Sequence, residues 1–280
     1  MGFFGGNYEK AGSGIAKNAP KKKPFFRFWE MFFERFWKMV KLSLLTSLFC
    51  LPVITVGPAI AGMTKVLRAY ILDKDTFMWD DFIKGFTKNF KKSFPVGIID
   101  IIFALSLLSS LRVYPALAEQ TGSVVPYVLC VISVGFALTV FMMNFFIFPM
   151  IVCTDLNFKN VIKNSFFLTA LGLKTNIITL LSILLTAVIM TLLVFIMGTT
   201  AVLILVPVIL VSFIGFLVMF NSYPQIQKSV IEPYYAARGQ SNPEYDFLKP
   251  LDEDESVFVD KGGEEAPIEG KKKTKGKVIS

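Results

Sequence analysis

Long stretches without charge alternate with short basic ones along this chain. Residues 42–64 carry no charge over 23 positions, 120–154 none over 35 and 175–227 none over 53, while 93–111 holds Asp100 as its only charge over 19. A helix needs about 20 apolar residues to cross the roughly 30 Å hydrocarbon core of a bilayer. The pattern therefore predicts spans over roughly 95–112, 126–150, 175–197 and 200–222, the last two divided by a turn near Gly198-Thr199-Thr200. None has the polar face that a helix of a water-soluble fold would turn to solvent.

The first uncharged run is different. It contains Leu51-Pro52-Val53-Ile54-Thr55-Val56-Gly57-Pro58, and two prolines and a glycine this close together break a helix or reverse a chain. The preferred reading is a bent hairpin with arms over 36–51 and 59–72 and its turn over 52–58. Lys65 and Arg68 on the return arm would then snorkel or sit in protein. With the four later spans this gives six passes, or four plus a re-entrant loop. The alternative is one straight crossing, five in all, with the N-terminus outside.

Three segments have aromatic and basic residues in helical register. In 76–94, Phe82, Phe86, Phe90 and Phe94 recur every fourth residue beside Trp79 and Ile83, with Asp80 and Asp81 early and Lys88, Lys91 and Lys92 late. That order suits the helix dipole. An apolar stripe opposite lysines suits a helix lying in the headgroup layer, so Trp79, Phe82, Phe86, Phe90, Lys91 and Lys92 are candidate lipid-facing residues on the cytoplasmic side. Residues 157–171 repeat the design, with Asn157 as N-cap and Gly172 as C-cap. Residues 25–39 are the third such segment, preceded by Lys21-Lys22-Lys23. A basic aromatic patch that leads straight into a span points to lipid rather than nucleic acid.

Charge sets the orientation. Residues 1–41 are net +6, 62–94 net +3 and 155–174 net +2, while the connections at 112–125 and 198–200 are nearly neutral. The positive-inside rule places the basic loops, the C-terminus and, with the hairpin, the N-terminus in the cytoplasm. Composition agrees with a membrane protein: 54% of residues are hydrophobic, 18% are charged, Phe contributes 29 residues, and the mean hydropathy is +0.58. The chain has no histidine, which excludes His-based triads, metal sites and pH switches. Cys50, Cys130 and Cys153 form no disulfide framework and no CxxC motif. No cofactor, nucleotide loop or nucleophile–base pair is evident, and the chain is not expected to be an enzyme.

Certain motifs resemble a known family. These are Leu51-Pro52-Val53-Ile54-Thr55-Val56-Gly57-Pro58-Ala59, Val66-Leu67-Arg68, Trp79-Asp80-Asp81-Phe82 and Phe86-Thr87-Lys88-Asn89-Phe90-Lys91. Phe148-Pro149-Met150 with Asp155-Leu156, and Lys163-Asn164-Ser165-Phe166, follow in order. Over roughly 25–225 the chain is similar to the YesL-like bacterial membrane proteins, a domain of unknown function. The resemblance implies a multi-pass protein of the bacterial cell membrane, set beside carbohydrate uptake systems. A carbohydrate transporter or sensor protein is the partner it implies. Residues 1–24 then form a basic polar segment, 25–225 the transmembrane domain, and 226–280 a cytoplasmic tail expected to be largely disordered from about 240.

The expected fold is an all-α transmembrane bundle of five hydrophobic segments with amphipathic helices on its cytoplasmic side. Its polar groups inside the membrane are few. Asp100 and Asn144 lie at matching depth on antiparallel spans, a candidate hydrogen-bonded pair that either clasps two helices or lines a solute or proton path. Pro52, Gly57 and Pro58 mark either an ordinary turn or the kind of broken helix on which transporters build sites. Two function classes follow. One is a non-enzymatic accessory or regulatory membrane protein, and the other a small-solute transporter or channel. The oligomeric state is not readable from the sequence.

Overall fold

The computed structural model describes residues 23–240 together with Asn242 and Glu244, and all regular structure among them is helical. The basic segment up to residue 22 and the tail beyond 244, with its expected disorder, lie outside the described residues.

The helices are α1 (Pro24–Glu34), α2 (Phe36–Cys50), α3 (Val56–Ile71), α4 (Met78–Thr121), α5 (Val125–Cys153), α6 (Phe158–Leu171), α7 (Leu173–Met197), α8 (Thr199–Leu205), α9 (Val211–Ile226) and α10 (Glu232–Ala236). Two π-helical turns, Val206–Leu210 and Gln227–Ile231, join the last three into one run. Four stretches are long and apolar enough to cross a membrane: Met78–Thr121, Val125–Cys153, Leu173–Met197 and Leu203–Ala236. They match the four later spans of the sequence pattern. A fifth crossing helix is not among them, because the first hydrophobic run is divided into α2 and α3. At 15 and 16 residues these are about 22 and 24 Å long, short of the hydrocarbon thickness.

The break lies slightly earlier than the pattern predicts. A 3₁₀ turn at Val53–Thr55 separates the helices, and the Thr55 hydroxyl lies 2.6 Å from the Phe49 carbonyl and 2.7 Å from that of Pro52. Gly57 and Pro58 belong to the first turn of α3 rather than to the turn between the arms. A proline fits there because the first N–H groups of a helix have no partner to lose. Gly57 is needed for contact. A Cβ on it would stand 2.1 Å from the Ser93 carbonyl oxygen, and one on Gly97 would stand 2.8 Å from the Gly57 Cα. Farther along, a Cβ on Gly85 would meet the Gly62 Cα at 3.0 Å. The antiparallel helices α3 and α4 thus touch backbone to backbone, the way small residues let helices approach in a membrane.

The segment 76–94 is not a separate interfacial helix. It is the first part of α4, which continues through Pro95 and Pro115 for 44 residues, about 66 Å. The lysines give way after Lys92 to a run whose only charge up to Leu111 is Asp100, and the helix does not end at that change. The aromatic stripe is also only partly a lipid face. Phe82 is fully buried, with its ring centroid 5.2 Å from that of Phe49, and Phe86 is half-buried beside the same ring. Trp79 and Lys91 are exposed, and Lys92 reaches the Leu156 carbonyl at 2.9 Å. The stripe turned inward because α2 and α3 stand against it. In α1, Phe28 and Phe32 are buried against Phe213 and Phe216 of α9, while Phe25, Phe26 and Phe33 are exposed.

Burial is concentrated in one half of the described chain, with Ala118 and Pro126 the buried residues at the far end of α4 and α5. One cluster joins α1, α2, α3, the start of α4 and α9 around Leu42, Leu67, Tyr70, Phe82, Phe216 and Tyr223. A second joins α4, α5, α6 and α9 around Val96, Phe146, Met150, Val161 and Ile226. Beyond Gly97 in α4, before Phe145 in α5 and after Thr179 in α7, the side chains are almost all half-buried or exposed. In α7 the most apolar window has 0% of its residues buried.

Candidate functional site

Two polar centres stand out among the described residues. The first is Asp100 of α4 with Asn144 of α5. The Asn144 amide nitrogen donates to Asp100 Oδ1 at 2.7 Å. The pair sits where the packed half ends, next to buried Gly97 and Phe145. Asn144 Oδ1 is buried without a partner among the described residues. Above it, a shallow half-open groove runs between Phe103, Ser106, Ser110, Ser133 and Phe136. The hydroxyls of Ser110 and Ser133 are turned back to their own helix carbonyls, so the groove offers little polar surface.

The second centre lies at the opposite, basic end, and the sequence pattern does not point to it. Arg68 of α3 donates through Nη2 to Glu244 Oε2 at 2.6 Å, through Nη1 to the Val152 carbonyl at 3.4 Å, and through Nε to the Tyr223 hydroxyl at 3.4 Å. Tyr223 in turn donates to Glu244 Oε2 at 2.8 Å and accepts from the Gln227 amide at 2.6 Å. Lys74 stands 3.4 Å from the other carboxylate oxygen. Asn242 gives its amide to Gln227 Oε1 at 2.7 Å and accepts the Glu244 backbone N–H at 3.1 Å. Tyr223, Gln227 and Asn242 are buried.

Electrostatics follow from this enclosure. Burial alone would raise the Glu244 carboxyl, but Arg68, Tyr223 and Lys74 outweigh it and hold it below the usual carboxylate value. Burial also works against the Arg68 charge, yet Cys153, Tyr223 and Glu244 outweigh it, and the guanidinium keeps its proton more firmly than usual.

One clue to this centre was present in the sequence. Arg68, on the return arm of the first run, had either to snorkel or to sit in protein, and it sits in protein. Tyr223 and Gln227 close the longest uncharged run without any charge to mark them, and Glu244 falls in a stretch whose composition reads as tail. Neither centre, nor any other group of His, Cys, Asp or Glu among the described residues, is arranged to hold a metal. The three cysteines are free and half-buried.

A protein family of unknown function, DUF624, matches residues 41–111. The match runs from Lys41 in α2 through the 3₁₀ turn and α3 to Leu111 in α4, and so includes the Gly57–Gly97 crossing, Arg68 and Asp100. No curated protein matches the chain. No solved structure matches it either.

Proposed function

We propose that this chain is a non-enzymatic accessory or regulatory component of a bacterial cell membrane, working beside a carbohydrate transporter or sensor protein. Its resemblance to YesL-like proteins supplies the carbohydrate setting. The observation that carries the accessory role is the sparsely buried outer half, above all α7, none of whose most apolar window is buried. Helices in lipid associate by close packing rather than by hydrophobic expulsion. A span whose most apolar window holds no buried residue offers most of its surface to lipid and to helices of another protein. In this reading α2 and α3 form a re-entrant hairpin on the cytoplasmic side. There α1, α6 and the first turns of α4 lie at the headgroup layer, and both termini are cytoplasmic.

The test is purification of the tagged chain in mild detergent from its native membrane, with mass-spectrometric identification of what accompanies it. The expected result is a stoichiometric carbohydrate transporter or sensor protein. The reading fails if the chain alone in liposomes carries a sugar across the bilayer.

The second reading, a small-solute transporter or channel, draws on the Asp100–Asn144 hydrogen bond between two spans. Intramembrane ionisable groups mark solute and proton paths as well as clasps. It requires flux by the chain alone that Asp100→Asn abolishes.

A further inference from the structure

The cluster at the basic end has the construction of a receptor. Four donors converge on one carboxylate, from Arg68, Lys74, Tyr223 and, at 3.4 Å, Gln227. Arg68, Tyr223 and Gln227 are fixed on helical segments packed into the core, and Lys74 follows α3 by three residues. The carboxylate comes from elsewhere. It belongs to Glu244, which lies beyond Gly239, whose φ of +66° follows the last helix. Arg68 and Lys74 both face this carboxylate, and without Glu244 the guanidinium, a buried amide and a buried phenol keep donors aimed at the vacated position. Charge-assisted hydrogen bonds of this kind are the strong ones, and leaving such donors unmatched is costly. Asn242 adds a second point of recognition two residues away, because Gln227 accepts its amide while its own carbonyl orders the Glu244 backbone. The recognised unit is therefore Asn242 together with Glu244, held to each other by the hydrogen bond from the Glu244 N–H to the Asn242 side chain.

We propose that Arg68, Lys74, Tyr223 and Gln227 form a binding site for an acidic peptide segment, filled in cis by Asn242 and Glu244 of the same chain. Docked, the segment ties α3 to the end of α9. Released, it opens the site to a matching acidic segment of another protein. The inference does not depend on the accessory role or on any flux.

The experiment uses the full chain in phosphatidylcholine nanodiscs and a fluorescent synthetic peptide spanning residues 240–248. Cis occupancy lowers apparent affinity by the fraction of sites left open. Glu244→Gln should therefore bind the peptide about tenfold more tightly than the unaltered chain. A peptide with its own Glu changed to Gln should not bind. Adding Arg68→Gln to the Glu244→Gln chain should weaken binding by about tenfold or more. Should that double variant not fold, Lys74→Gln added instead to the Glu244→Gln chain, altered at the exposed edge of the site, should still weaken binding several-fold with an unchanged size-exclusion profile. Equal binding by the unaltered and Glu244→Gln chains would overturn the proposal, and so would equal binding of the Glu and Gln peptides. Loss of peptide binding in phosphatidylglycerol nanodiscs would overturn it in favour of a lipid headgroup phosphate.

Discussion

At the scale of single residues, the glycines show how differently one residue type is used. Gly198 and Gly122 end helices at φ values of +80° and +61°, where a side chain strains the backbone. Gly57 is a contact residue with no such conformation. A Cβ there would lie 2.1 Å from a backbone oxygen of α4, and backbone cannot swing aside as a side chain can. Gly57→Ala should destabilise the protein by about 1–3 kcal/mol, the usual cost of overpacking. Gly135→Ala, with nothing within 4 Å of the added carbon, should be neutral or slightly stabilising. Thermal unfolding of both variants in detergent checks this, and equal melting temperatures would mean that α3 and α4 do not cross at these residues. In the sequence, Gly57 next to Pro58 reads as a break. The partner that gives it another purpose, Gly97, is 40 positions away, and local pattern carries no information about such a pair.

At the scale of elements, the long apolar spans were legible because length without charge has one physical solution in lipid. The turn at Gly198, the caps Asn157 and Gly172 of α6, and the division of the first run by Pro52 also followed from local chemistry. Helix ends beside lysines were not legible. The segment 76–94 and the span from about 95 read as two elements, yet α4 continues through Pro95. Nor does spacing tell which face of an aromatic stripe meets protein, so Phe82 was placed against lipid although it packs on Phe49. The short 242–244 segment was missed because composition alone marks it as tail, whereas Arg68 and Tyr223 give it a fixed seat. That seat makes its docking dependent on pH. The folded carboxyl of Glu244 lies below its unfolded value, near 4.3 in model peptides, so its contribution is complete above about pH 5 and is lost as pH falls through the folded value. A fluorophore at residue 240 of a chain without other cysteines should show high anisotropy at neutral pH and a fall only on acidification below the ordinary glutamate value. In Glu244→Gln the anisotropy should be low throughout. A Glu244→Gln chain indistinguishable from the parent at pH 7 would show that the carboxylate does not hold the segment.

At the scale of the whole described molecule, the basic loops gather at one end. Lys88 stands 3.9 Å from Asp155, Lys92 holds the Leu156 carbonyl, and Arg68 reaches Val152. The loop before α4 and the loop after α5 are therefore on one side, and the turn at Gly122 is on the other. The packed core lies toward the basic end and the long bare faces of α4, α5 and α7 toward the neutral one, while Phe25, Phe26, Phe33 and Trp79 are exposed at the basic end. Lysine-rich segments are retained in the cytoplasm during insertion, so the packed, charged half should face the cytoplasm and the sparsely buried half should lie in the bilayer and its outer leaflet. The course of the first run sets the side on which the N-terminus lies. A hairpin that fails to cross leaves residue 10 on the same side as the start of α4, whereas a single crossing would put it outside. Single cysteines at Lys10, Gln120 and Lys159, in a chain whose native cysteines are replaced by alanine, separate these cases. A membrane-impermeant maleimide should label the cysteine at 120 in intact cells, and those at 10 and 159 only after permeabilisation. Labelling at 10 in intact cells, with 159 still protected, would mean that the first run crosses once and that α2 and α3 straighten in the bilayer. Labelling at 159 would invert the molecule and put the Arg68–Glu244 site on the outer face, beyond the reach of any cytoplasmic partner.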